Sequence, residues 1–181
     1  MQQSAQDESG TAFEFRHPQV EDGLRIWRLI REAGTLDLNS TYAYLVLCRD
    51  FADTCLLAER NGRLDGFVTG YLPPKHPHTL FIWQIGVAPT ARGKGLASQL
   101  LEQLLQSDSC EQVNSLITNV TPSNKASRAL FARLARSLDT ELTEDNGFGE
   151  ALFPEPGHEP ERLLHIGPFS VSTLQTESRD R

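Results

Sequence analysis

Apolar residues recur along this chain with two periods, and the switches between them predict its elements. Phe13 and Phe15 alternate with Glu14 and Arg16, a first short strand stopped at Pro18. Over residues 20–33 the spacing of Leu24, Ile26, Trp27, Leu29 and Ile30 is helical, and Gly34 closes that helix. A polar link over residues 35–41 leads to a more apolar helix at 42–51. Residues 54–60 read as a strand, Asn61-Gly62 as a tight turn and residues 64–72 as the partner strand. Pro73-Pro74 ends that hairpin, residues 75–78 form a loop, and the apolar run at 80–87 is a central strand.

Leu96, Leu100, Leu101, Leu104 and Leu105 then mark one side of a helix. Residues 113–121 predict a strand, and 124–138 a helix that turns Leu130, Phe131 and Leu134 inward. From 139 to 160 glycine, proline and acidic residues interrupt every period, and no element is predicted. A short strand at 162–166 comes last. The order β-α-α-β-β-β-α-β-α-β describes one α/β (α+β) domain over residues 13–169, a mixed sheet flanked by helices. Residues 1–12 read as a disordered arm and 170–181 as a polar tail.

Composition narrows the setting. With 181 residues the chain can bury a proper core as one domain. A net charge of −7 makes nucleic acid and acidic membranes poor partners. Cys48, Cys55 and Cys110 form neither an even set nor a C-x-x-C pair, so they read as reduced thiols and the setting as cytoplasmic. Neither a signal peptide nor a membrane-length apolar run is expected. His76-Pro77-His78 has no Cys or carboxylate at ligand spacing, so no metal is expected and it reads as an exposed loop.

The informative stretch is WQIGVAPTARGKGLASQLLEQLL, residues 83–105: a strand end, a glycine-punctuated turn and a helix. Gly93 and Gly95 let the main chain approach an anion, and the first N–H groups of the helix lack internal partners. With the helix dipole, and with Arg92 and Lys94 beside it, that is a pyrophosphate cradle. No Gly-Lys-Ser/Thr closes it as in a P-loop, and it is not G-x-G-x-x-G. It fits R-x-x-G-x-G/A through Arg92, Gly95 and Ala97, and in this it resembles the coenzyme A loop of the GNAT acetyltransferases.

That resemblance covers roughly residues 13–169 and implies acetyl-CoA as co-substrate. It also implies a splayed pair of parallel strands in a mostly antiparallel sheet. Ile85, Gly86 and Val87 would meet the pantetheine, and Arg92, Gly93, Lys94, Gly95, Leu96, Ala97 and Asn124 the rest of the cofactor. Asn124 reads equally as a helix cap. Within the family, several segments in order resemble the diaminobutyrate acetyltransferases of ectoine synthesis. They include Asp37-Leu38-Asn39-Ser40, Phe51-Ala52-Asp53-Thr54-Cys55, Thr121-Pro122-Ser123-Asn124 and His158-Glu159-Pro160-Glu161.

This closer resemblance implies acetyl transfer to the 4-amino group of L-2,4-diaminobutyrate, a small diamine, in a homodimer. An aliphatic ammonium has a pKa near ~10, so freeing its lone pair near neutral pH costs roughly 3–4 kcal/mol. A proton acceptor is therefore required, while the amine itself is the nucleophile. Glu161 and His158 are the acceptor candidates, although a charged, proline-broken loop usually holds solvated residues. The family's proton-donating tyrosine is replaced by Phe131, which leaves Ser127, a second-helix tyrosine such as Tyr42, or water.

Asp37 is a candidate amine ligand and equally a cap for the second helix. Trp83 reads as a core residue or as a cation–π wall, Tyr42 and Tyr44 as a cover over substrate or as packing, and Thr41 as a further substrate-binding candidate. Asn119 would bond substrate or span the strand gap, and Phe148 begins a segment, 148–161, expected to fold over a small diamine. Two other readings stand beside this one: a GNAT enzyme for another small amine or a protein N-terminus, and a non-catalytic acyl-CoA sensor.

Overall fold

The computed structural model describes residues 12–154, 156–172 and 174. The arm expected at 1–12 lies outside these except for its last residue, as does most of the tail. Within that tail, however, Leu174 and Val171 pack on the core, so the apolar surface continues past residue 169.

Seven strands form one sheet: β1 (Glu14–Arg16), β2 (Leu56–Arg60), β3 (Arg63–Tyr71), β4 (Thr79–Val87), β5 (Ser115–Val120), β6 (Leu142–Phe148) and β7 (Glu161–Ile166). Their spatial order is β1-β2-β3-β4-β5-β7-β6, antiparallel throughout except for the parallel pair β4/β5. Among the described residues four helices flank it: α1 (Asp22–Ala33), α2 (Thr41–Asp50), α3 (Leu96–Leu105) and α4 (Lys125–Ser137).

Helices α1 and α2 bury Ile26, Leu29, Ile30, Tyr44 and Leu47 against Leu57, Leu64 and Phe67 of β2 and β3. On the other face α3 and α4 bury Leu96, Leu100, Leu104, Phe131 and Leu134 against Ala58, Val68, Leu80 and Ile82. With both faces covered, β3 is buried continuously from Leu64 to Gly70. Helix α1 ends at Gly34, whose φ of 62° lets its N–H reach the Ile30 carbonyl. Helix α2 starts at Ser40, whose hydroxyl accepts from Ala43 N, so Ser40 rather than Asp37 or Asn39 is its cap.

One element departs from the sequence reading. Residues 142–148, where no strand is predicted, form β6, almost wholly exposed and paired with β7 from Leu142↔Ile166 to Phe148↔Glu161. Nothing in Leu-Thr-Glu-Asp-Asn-Gly-Phe alternates, because an outer strand gains main-chain bonds on one edge without burying a face. Gly147 sits at the register shift, where a Cβ would stand 2.2 Å from the Glu161 carbonyl oxygen.

Candidate functional site

The site begins where β4 and β5 part. Their parallel pairing runs from Thr79↔Ser115 to Ile82↔Thr118 and stops there, the last bond being Thr118 Oγ1 donating to the Ile82 carbonyl at 3.0 Å. Along the same strand the ladder with β3 skips Trp83, between Thr69↔Gln84 and Gly70↔Ile82. Past this bulge, Ala88 N donates to the Asp65 carbonyl at 2.8 Å. Antiparallel alternation then turns the main chain of Gly86 toward β3 and that of Ile85 and Val87 toward the vacated β5 side. An amide-bearing chain laid along that edge would find the partners that β5 no longer supplies. Gly86 itself is required by packing: the Phe67 ring lies 2.5 Å from where its Cβ would be, and Leu36 lies 3.2 Å away.

Beyond β4 the chain turns through Pro89–Ala91 and Arg92 into the glycine pair. Gly93 and Gly95 have φ of 76° and 72°, left-handed values that side-chain-bearing residues adopt at a cost. The first helical bond of α3 is Gln99 N to the Gly95 carbonyl, which leaves the N–H groups ahead of it pointing out of the helix end. Leu96 is buried in the core, so only its main chain belongs to this rim. Arg92 is exposed, and its Nη2 donates to the Ala33 carbonyl at 3.2 Å, tying the cradle to the end of α1.

A cavity of about 730 Å³ opens at the splayed strands, under the link between α1 and α2, the head of α4 and residues 148–161. Asp37, Trp83, Ile85, Asn119, Asn124, Ser127, Phe148, His158 and Glu161 all line it. Three carboxylates, Asp37, Glu159 and Glu161, face it, and no Lys or Arg does among the described residues.

Glu161 starts β7, and burial pushes its carboxyl up. The His158 charge opposes that rise and the Asp37 charge adds to it, so the three groups sense one another. His158 stacks on Phe153 with centroids 3.7 Å apart and planes 11° apart. Its Nδ1 lies 2.6 Å from the Glu159 carbonyl, which can only accept, so Nδ1 carries the hydrogen and the neutral ring keeps its lone pair on Nε2. Glu159 is held aside by Ser123 N, which donates to its Oε2 at 3.1 Å. A half-buried carboxylate raised in this way, near a fixed imidazole, is suited to taking a proton from a cation bound in the cavity.

Other expected residues stand elsewhere. Tyr42 is 71% exposed on the outer side of α2 and, like Thr41, does not line the cavity. Tyr44 is wholly buried beneath it. A helix turns Tyr42 and Tyr44, two residues apart, to different faces, so the two tyrosines do not form a common cover. Asn124 caps α4, its Oδ1 accepting from Ser127 N at 3.0 Å. Phe131 lines the cavity and is buried. His76 and His78 lie in an exposed loop, and all three cysteines are buried free thiols. Phe153 and Gln84 were not anticipated: Phe153 lies in an aperiodic stretch, and Gln84 is a polar residue inside an apolar strand, a signal that was available.

Comparison with known proteins places this geometry. The acetyltransferase (GNAT) family model matches residues 20–135. The L-2,4-diaminobutyric acid acetyltransferase of Marinococcus halophilus is 50% identical over 156 residues, 86% of this chain and 90% of the relative. That of Nocardia farcinica is 44% identical over 164 residues, 91% of this chain and 84% of the relative. Among solved structures, the diaminobutyrate acetyltransferase EctA of Paenibacillus lautus, in complex with L-2,4-diaminobutyric acid and coenzyme A, superposes with a TM-score of 0.85. It is 43% identical and covers 88% of this chain and 97% of its own.

Proposed function

We propose that this chain, which belongs to the GNAT family of acetyltransferases, transfers an acetyl group from acetyl-CoA to the 4-amino nitrogen of L-2,4-diaminobutyrate. The observation that carries this reading is the meeting of Asp37 with His158 and Glu161, from opposite ends of the sequence, in one cavity beside the freed edge of β4. Relatives at 42–50% identity that are diaminobutyric acid acetyltransferases support the choice of amine.

Acetyl-CoA supplies the activated acetyl group, and the open edge and glycine cradle fit its amide arm and pyrophosphate. Ile85 and Val87 would pair with the arm, the N–H groups ahead of Gln99 would hold the pyrophosphate, and one edge N–H would polarise the thioester carbonyl. Asp37 would hold the substrate as an ammonium, and Trp83 would wall it. Glu161, its carboxyl raised by burial, takes a proton from the 4-ammonium directly or through water. The freed amine attacks the carbonyl carbon; the C–N bond forms, the C–S bond breaks, the new amide nitrogen gives up its second proton and the departing thiolate takes one, so that one proton in all is released through Glu161. With Phe131 unable to donate, Ser127 is the cavity hydroxyl on α4 that can give the thiolate its proton. The product would enter ectoine synthesis, a cytoplasmic response to osmotic stress, and the working enzyme would be a homodimer.

The test is thiol release from acetyl-CoA with 2,4-diaminobutyrate, lysine, ornithine and putrescine in parallel, with NMR of the product. Preference for diaminobutyrate with acetyl on the 4-nitrogen is expected. Turnover of another amine in preference would discard the substrate, and acetyl-CoA binding without turnover of any amine would make the chain a sensor.

A further inference from the structure

A polar chain runs through the core beneath the cavity, and the mechanism above leaves it without a task. Tyr44 lies on α2 with none of its surface exposed. Its hydroxyl donates to Gln84 Oε1 at 3.0 Å and accepts from Asn39 N at 3.2 Å, with Asn39 Nδ2 at 3.5 Å. Gln84, on β4, turns its Nε2 to the main-chain carbonyl of Asp37 at 2.8 Å. Both ends of this amide are thereby spoken for, and its orientation is settled by its partners: only the nitrogen can face a carbonyl. The strand beneath is anchored as well, since Thr69 Oγ1 donates to the Gln84 carbonyl. Nearby, Leu36 from the same link sits over Gly86, in space that any larger residue there would take.

The consequence concerns Asp37. It lies in the link between α1 and α2, which has no helix or strand bonds to fix it, and it is exposed. A carboxylate on such a link can take many positions, and holding an ammonium requires one. The two contacts just described fasten the link immediately after Asp37's Cα, at its own carbonyl and at Asn39. They fasten it to β4, the strand that also presents Trp83 and Ile85.

We infer that Tyr44 and Gln84 are positioning residues: through the Tyr44–Gln84 hydrogen bond they hold Asp37 at a set distance from the strand edge where the acetyl group is delivered. Neither needs to touch the amine through its hydrogen-bonding atoms. The inference rests on the reading of Asp37 as an amine ligand. It assigns a second task to a phenol that looks, by burial alone, like an ordinary core residue.

Three variants separate the possibilities: Tyr44→Phe, which keeps the ring and removes the oxygen; Gln84→Leu, which keeps the volume and removes both bonds; and Asp37→Asn. For each, KM is measured for diaminobutyrate and for acetyl-CoA, along with the melting temperature. The expected result is a rise of roughly tenfold in the diaminobutyrate KM for Tyr44→Phe and Gln84→Leu, with acetyl-CoA KM within about twofold of the parent. Asp37→Asn should raise the same KM at least as far. If Asp37→Asn raises it while the other two leave it unchanged, the positioning role is overturned and the amine ligand stands. Equal rises in both KM values with a lowered melting temperature would reduce Tyr44 and Gln84 to core packing, and overturn it too. No effect from Asp37→Asn would remove the amine ligand itself, and with it anything to position.

Discussion

The molecule gathers carboxylates in two places and treats them in opposite ways. At the outer end of the sheet Asp22 and Glu59 meet Arg16 and Arg25: Arg16 Nη1 lies 2.7 Å from Asp22, Arg16 Nε 2.9 Å from Glu59, and Arg25 Nη1 2.8 Å from Asp22. Burial raises the Asp22 carboxyl, but the Arg16 hydrogen bonds, Gln19 N–H and Arg25 outweigh it and hold the group at about 2. Around the cavity Asp37, Glu159 and Glu161 meet no arginine or lysine among the lining residues, and Glu161 is pushed up by burial. The first cluster is complete as folded: it ties β1, α1 and β2 together. The second has no arginine or lysine among its lining residues, which suits the cationic substrate proposed for it. Carboxylates at a proton-transfer site are left short of partners for that reason, and the shortage marks the site more sharply than the carboxylates do.

The contrast can be broken most severely at Glu161. Glu161→Gln keeps the shape and removes the acceptor, so kcat should fall by about 10²–10⁴-fold, with the urea midpoint unchanged or raised; a variant with full kcat would place the base elsewhere. Helix α3 offers the same unfinished state with opposite sign, N–H groups awaiting an anion. Gly95→Glu puts a carboxylate there and forces φ of 72° on a side-chain-bearing residue, so the acetyl-CoA KM should rise on the order of a hundredfold. Unchanged acetyl-CoA kinetics would remove the cradle.

Asp22→Ala tests the completed cluster. It leaves Arg16 and Arg25, each about a third exposed, to rehydrate, and should lower stability by about 2 kcal/mol while sparing kcat/KM. A loss of activity at full stability would show that the cluster serves the site.

The smallest effect is in pH. Asp22, lowered on folding, contributes stability that is present above its ordinary 3.8 and lost as pH falls through about 2. Glu161, raised on folding, contributes in the other sense: its share is present while protonated in both states and lost as pH rises through its folded value. Activity should follow the ionised Glu161, so kcat/KM should decline on acidification starting nearer neutrality than an ordinary carboxylate would allow. Unfolding curves of the Asp22→Ala and Glu161→Gln variants against pH would show slopes altered in opposite directions.

Much of this was legible in the residues. The central strand, glycine turn and leucine-faced helix appear at 79–105 as expected, because short-range periodicity and positive-φ glycines are written locally. Phe131, in place of a proton-donating tyrosine, lines the cavity. Strand β6 was not legible, since its seven residues are ordered by the main-chain edge of β7 rather than by a buried face. The tyrosines of α2 show the same limit: type and neighbourhood suggested a cover for the site, yet helix rotation sends Tyr42 into solvent and Tyr44 into the core.

By itself, then, the sequence determined the acetyltransferase class of this chain, its anion cradle and the identity of its candidate acid–base groups. The cradle depends on residue types at short spacing, and the class and the acid–base candidates on resemblance to a known family. The tertiary structure alone decided where β4 and β5 separate, which carboxylates are matched by arginines, and how a buried phenol holds a surface link. Each of these turns on a contact between residues dozens of positions apart (Ile82 with Thr118, Arg16 with Glu59, Tyr44 with Gln84), and only packing brings such residues within reach of a hydrogen bond.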